Sequence, residues 1–84
     1  MGPRSRAVHD YNYQVHVIDE AGDVIETLAE LNGFGMAKAA FEASLQEKTW
    51  CIIVLRNGGR VIETAKTGGY NGATKLVDLE WRRR

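Results

Sequence analysis

The side chains that most often do chemistry are few in this 84-residue chain: the cysteine Cys51, the histidines His9 and His16, and the serines Ser5 and Ser44. A cysteine acts as a nucleophile only when a base stands close enough to generate the thiolate. Strand alternation places Cys51 on the same sheet face as His16, which leaves that pairing open. The plainer reading makes Cys51 a small apolar packing residue. His16 is expected opposite Glu26 as a cross-strand polar pair, with Glu63 as a matching surface carboxylate rather than a general base. Neither serine has a nucleophile-elbow context. His9, His16 and Cys51 share no metal-ligand spacing. Gly33-Phe34-Gly35 lacks the third small residue of a dinucleotide loop, and no glycine directly precedes Lys75 as a phosphate loop requires. No catalytic set, cofactor or metal is therefore expected, and the chain is expected to be no enzyme.

The cationic residues offer a second chemistry. Arg56 and Arg60 flank one hairpin tip, and Arg82, Arg83 and Arg84 form a run. Arginines attract phosphates, and Trp50, Trp81 and Tyr70 supply rings on which bases stack. These five arginines are the candidate contacts for an anion or a nucleic acid. A solubilising run and an ordinary charged tip explain them equally simply. Net charge is zero but segregated: residues 1–47 hold 3 basic and 8 acidic side chains, net −5, and residues 48–84 hold 8 basic and 3 acidic, net +5. Folding that brings the halves together would mix them.

Positioning any of these residues is the task of a small set of elements. Residues 17–27 lie over residues 54–64 with six identities in 11 positions: Val17 with Val54, Gly22 with Gly59, and the shared Val-Ile-Glu-Thr run. Each segment reads as strand, tight loop, strand, with Gly22 and Gly59 third in a three-residue loop. Asn57-Gly58 allows a two-residue turn instead, which shifts register by one. Residues 23–31 also admit a helix, because Asp23 and Glu26 have capping-box spacing and Val24, Leu28 and Leu31 have helical spacing. The β-branched residues and the repeat favour strands. Between the hairpins a helix is expected from about residues 33–36 to 48. Phe34, Ala37, Phe41 and Leu45 form its apolar stripe, Lys38 and Glu42 face water, and Asn32 is a candidate N-cap.

The expected fold class is thus α+β, in the order β-β-α-β-β: a four-stranded antiparallel sheet with a helix on one face. Residues 1–10 are expected to be a disordered basic N-terminus, 11–67 the domain, and 68–73 a Gly-rich link. Residues 74–84 form a segment that fits helix or strand equally. Alternation assigns Tyr13, Val15, Val17, Ile25, Trp50, Ile52, Val54 and Ile62 to the helix. The second face then collects Gln14, His16 and Glu26 together with Ile18, Val24, Leu28, Cys51, Ile53, Leu55 and Val61. A solvated face should be mostly polar, so a cover is expected, either residues 74–81 or a second copy of the chain. Ile18, Val24, Ile53, Leu55 and Val61 are the candidate interface.

The run Ile53-Val54-Leu55-Arg56-Asn57-Gly58-Gly59-Arg60-Val61-Ile62, with the Asp-x-x-Gly hairpin and Ala-rich helix before it, resembles a group of small bacterial proteins of uncharacterised function. The likeness spans roughly residues 13–64 and implies no activity or site. The lone cysteine and the lack of any 18-residue apolar run point to a cytoplasmic protein with no membrane partner. The reading is a non-enzymatic binding or assembly module that acts through protein–protein contacts, as a homodimer or bound to another protein. The alternative is a nucleic-acid-binding accessory protein using Arg56, Arg60 and the C-terminal arginines.

Overall fold

Alternating β-branched residues build the first hairpin, and an Asp-Gly loop closes it. In the computed structural model, which describes residues 12–84, β1 (Tyr13–Ile18) and β2 (Val24–Leu31) form that hairpin. The segment 1–10 lies outside the described residues. Asp19 organises the turn. Its Oδ1 accepts the Ala21 and Asp23 N–H groups at 2.9 Å each, and its own N–H donates to the Asp23 carbonyl at 2.9 Å. Gly22 takes φ +93°, the left-handed position predicted for it. The competing helix over residues 23–31 does not form. Bulges around Leu28 and Ile25 do shift the register, so Val17 opposes Glu26 and His16 opposes Thr27, not Ile25 and Glu26.

Helix α1 (Phe34–Glu47) follows, then β3 (Ile52–Asn57), β4 (Arg60–Asn71) and β5 (Leu76–Arg83). The fold is α+β and the order β-β-α-β-β stands, but the sheet has five strands rather than four, all antiparallel, in the order β2-β1-β3-β4-β5. Residues 76–83 are the fifth strand, lying beside β4 rather than over a face. Residues 68–71, expected as part of a link, are the end of β4. Gly33 caps α1 with no side-chain bond, so Asn32 is not its cap.

The second hairpin departs from the first. Asn57 pairs with Arg60, so only Gly58 and Gly59 form the loop, with Gly58 at φ +60°. A register shift beside Leu55 follows. Val54 then opposes Thr64 and Ile52 opposes Lys66, where the repeat had suggested Ile62 and Thr64.

Pairing with β1 decides the phase of β3. Val15 opposes Leu55 and Val17 opposes Ile53. Ile53 and Leu55 therefore lie under the helix, fully buried with Val15, Val17, Ala37, Phe41, Leu45 and Ala65. This corrects the sequence assignment, which put these two on the second face and Ile52, Val54 and Trp50 under the helix. A one-residue change of phase moves every side chain of a strand to the other face, and an apolar run carries no period that would forbid it. Each fully buried aliphatic or aromatic side chain here contributes about 1.5–3 kcal/mol. Phe34 remains half exposed, edge-on to Tyr13 at 5.9 Å.

Candidate functional site: the open sheet face and the β4–β5 arm

The sheet face away from α1 can be read row by row from the register. One row runs Thr27, His16, Val54, Thr64, Arg83, and the next Val24, Ile18, Ile52, Lys66, Trp81. Val54, between His16 and Thr64 on this face, is only 3% exposed. His16 is buried beside it, with Nδ1 3.0 Å from Thr27 Oγ1. Burial pushes the His16 imidazole below its ordinary value; the Arg56 charge adds to this and Glu30 opposes it. Arg83 stacks over the Trp81 ring at 4.4 Å. A groove of about 410 Å³ lies between the first turn and β5, floored by Ile18, Ile52 and Lys66 and walled by Trp81 and Arg83.

Beyond Lys66, β4 outruns β3. Thr67 N–H still donates to the Cys51 carbonyl at 2.8 Å, and Trp50 N–H to the Gly68 carbonyl at 3.0 Å. From Gly69 the strand pairs with β5 alone, forming an arm that projects about 10 Å at roughly 3.3 Å per residue. Asn71 shapes its loop. The Asn71 carbonyl accepts the Lys75 N–H at 2.7 Å, its Oδ1 accepts the Ala73 N–H at 2.9 Å, and Lys75 takes φ +61°. Tyr70 and Leu76 are exposed on the arm and Leu79 at its root opposite Thr67, Tyr70 to 63%. Trp50 braces its root. A Cβ on Gly69 would come within 3.1 Å of the Trp50 ring, which explains the glycine. Trp50 itself is 69% exposed and sits at φ +56°, a strained position for so bulky a residue.

Between helix and sheet the structure assembles an ionic cluster that sequence reasoning missed. Glu63 is 3% exposed and accepts from Lys38 Nζ and from Arg82, whose Nε donates at 2.7 Å. Arg82 also pairs with Glu42, and Lys38 reaches Glu42 at 3.0 Å. Burial alone would push the Glu63 carboxyl up. Hydrogen bonds from Lys38 and Arg82 outweigh it and hold the group below its ordinary value. Glu42 is held low chiefly by its hydrogen bond from Arg82. Lys38 is raised, first by its bond to Glu63, and Arg82 is raised, first by its bond to Glu42. Glu63 is thus not the surface carboxylate expected, while Lys38 and Glu42, partly exposed on the helix, are drawn into ion pairs with it and with Arg82. Lys38 and Glu42 at i,i+4 were the one visible signal; Glu63 and Arg82 reach them only through the fold.

Of the candidate interface residues, Ile18 and Val24 face each other near the first turn and Val61 is exposed opposite Arg56, while Ile53 and Leu55 are core. Of the candidate anion contacts, Arg56 and Arg83 lie on the open face and Arg60 at the second tip. Arg82 is committed to Glu42 and Glu63, and Arg84 Nε is 3.6 Å from Glu63. The two hairpin tips lie at opposite ends of the sheet, as β1 and β3 run antiparallel. Cys51 sits on the helix side, its thiol donating to the Thr49 carbonyl at 3.1 Å, so the sheet separates it from His16. No described helix is long and apolar enough to cross a membrane, and no group of three or more metal-ligating side chains occurs among the described residues. Comparison with known family models, characterised proteins and solved structures finds no match.

Proposed function

We propose that the chain is a non-enzymatic binding and assembly module that acts through protein–protein contacts, as a homodimer. The observation that carries this reading is the projecting β4–β5 arm with its unshielded apolar side chains. Tyr70 and Leu76 line the arm, and Leu79 and the strained Trp50 stand at its root. A two-stranded ribbon is at best marginally stable in water by itself, so a partner seated on it contributes what the isolated domain lacks. Lys38, Glu42, Glu63 and Arg82 neutralise one another and tie α1 to β4 and β5. A cytoplasmic setting suits the lone thiol.

Sedimentation velocity of the full chain, across concentration and at low and high salt, tests the reading. A concentration-dependent dimer is expected. A monomer at every concentration overturns it.

One observation favours a second reading. Arg56 Nε is buried with no hydrogen-bond partner among the described residues, and Arg83 on Trp81 shares its face. An anionic strand lying across β3 to β5 would find both a cation and a ring. Gel shifts with single-stranded RNA and DNA over a salt series separate this reading from the first.

A further inference from the structure

The sheet has two free edges, and their charges differ in pattern. β2 carries Glu26 and Glu30 and no cation. β5 carries Asp78 and Glu80 in its first half and Arg82 and Arg83 in its second, with Arg84 next in sequence. An edge strand presents a row of unpaired backbone N–H and C=O groups, ready to accept another strand. On the homodimer reading above, on which this rests, we infer that the partner surface is the β5 edge itself: two copies pair β5 to β5 antiparallel about a two-fold axis near Trp81.

The charge pattern selects this arrangement. Centring the axis between Glu80 and Trp81 sets Asp78 against Arg83 of the second copy. The register shift that β5 takes between Leu79 and Trp81 brings these two side chains to the same face, so acid meets base and the two-fold repeats the match. Centring it on Trp81 slips by one residue and sets Asp78 and Glu80 against Arg84 and Arg82, which lie on the helix face beside Glu63. Centring it on Leu79 sets Asp78 against Glu80, and a parallel pairing lays like charge on like. Antiparallel self-pairing of β2 about Leu28 would set Glu26 against Glu30, and no register of β2 offers an acid a base, since the strand carries no cation. The β5 pairing also lays the root of each arm along the second copy's strand end. It joins two five-stranded sheets into one and leaves no β5 edge open, so assembly stops at the dimer.

Two variants test the pairing: Asp78→Lys and Arg83→Glu. Arg82 is left intact because it holds Glu42 and Glu63. Each variant alone opposes like charges at both symmetric positions, and its self-association is expected to weaken at least tenfold at low salt. Mixed one to one, each mutated position faces its complement, and a heterodimer near wild-type affinity is expected. That recovery also shows that both variants are folded. Amide hydrogen exchange of the wild type should show protection that grows with concentration in β5 and not in β2. Variants that dimerise as tightly as the wild type overturn the β5 pairing but leave the homodimer reading standing. So does a mixture that stays monomeric. A wild type that grows into an open series of larger species overturns the closed two-fold, and a wild type that never associates overturns both readings.

Discussion

The two edges of this sheet are held to the molecule in different ways. β2 hangs on its backbone ladder with β1, interrupted at two places, and most of its side chains are exposed. Its polar anchors are His16 to Thr27 and a 3.4 Å ion pair from Lys48 to Glu26. β5 has register shifts of its own, yet Arg82 locks it to the helix through Glu42 and to β4 through Glu63. An edge fixed by a partly buried ionic cluster is rigid enough to serve as a template. An edge held by an interrupted ladder, by Leu28, Ala29 and Leu31 on the core and by two exposed or partly exposed polar contacts frays more readily.

The sharpest way to break this comparison is Arg82→Ala. It leaves Glu63 buried with only Lys38 and the distant Arg84, and stability should fall by about 2 kcal/mol in urea unfolding. Hydrogen exchange should show β5 loosening well before β2. Equal loss of protection in both strands would refute the distinction.

Acid probes the same lock. Glu42 and Glu63 sit below the ordinary carboxyl value of 4.5 in the folded chain. Their stabilising contribution is fully present above about pH 4.5 and is lost as pH falls through the lower folded values, because the unfolded chain then binds more protons. Urea midpoints measured from pH 7 to pH 3 should drop steeply at the acid end for the wild type. Arg82→Ala should flatten that slope.

Trp50 sharpens the comparison differently, since it braces the arm that only β5 shares. Trp50→Asn relieves the positive φ, and folding stability should rise by about 1 kcal/mol. Self-association should weaken in the same protein, as sedimentation would show. A variant less stable than the wild type would mean that the ring is held for packing.

The smallest effect belongs to β2. Thr27→Val removes the hydroxyl that meets His16 and should cost about 1 kcal/mol or less by thermal melting, with association unchanged. A large loss of dimer would give β2 the role assigned to β5.

Much of the fold was legible in the sequence because its causes are local. The β-branched runs, the Asp19 and Gly22 turn, and the Ala37, Phe41 and Leu45 stripe each carry their own signal within a few residues. Little of the candidate site was. Alternation puts Trp50 under the helix, Tyr70 reads only as a ring for stacking, and residues 68–71 read as a link. Glycines in a strand are indistinguishable from a linker until a close neighbour such as Trp50 shows why they are small.

Sequence by itself determined the β-β-α-β-β order over residues 11–67, since periodicity and turn chemistry act over neighbouring residues. Tertiary structure alone decided which side of β3 meets the helix, that residues 76–83 extend the sheet, and that Glu63 gathers Lys38 and Arg82. Each of these depends on pairing between distant segments. A strand apolar on both faces, like charges scattered along a chain, leaves that choice to whatever strand or helix packs against it.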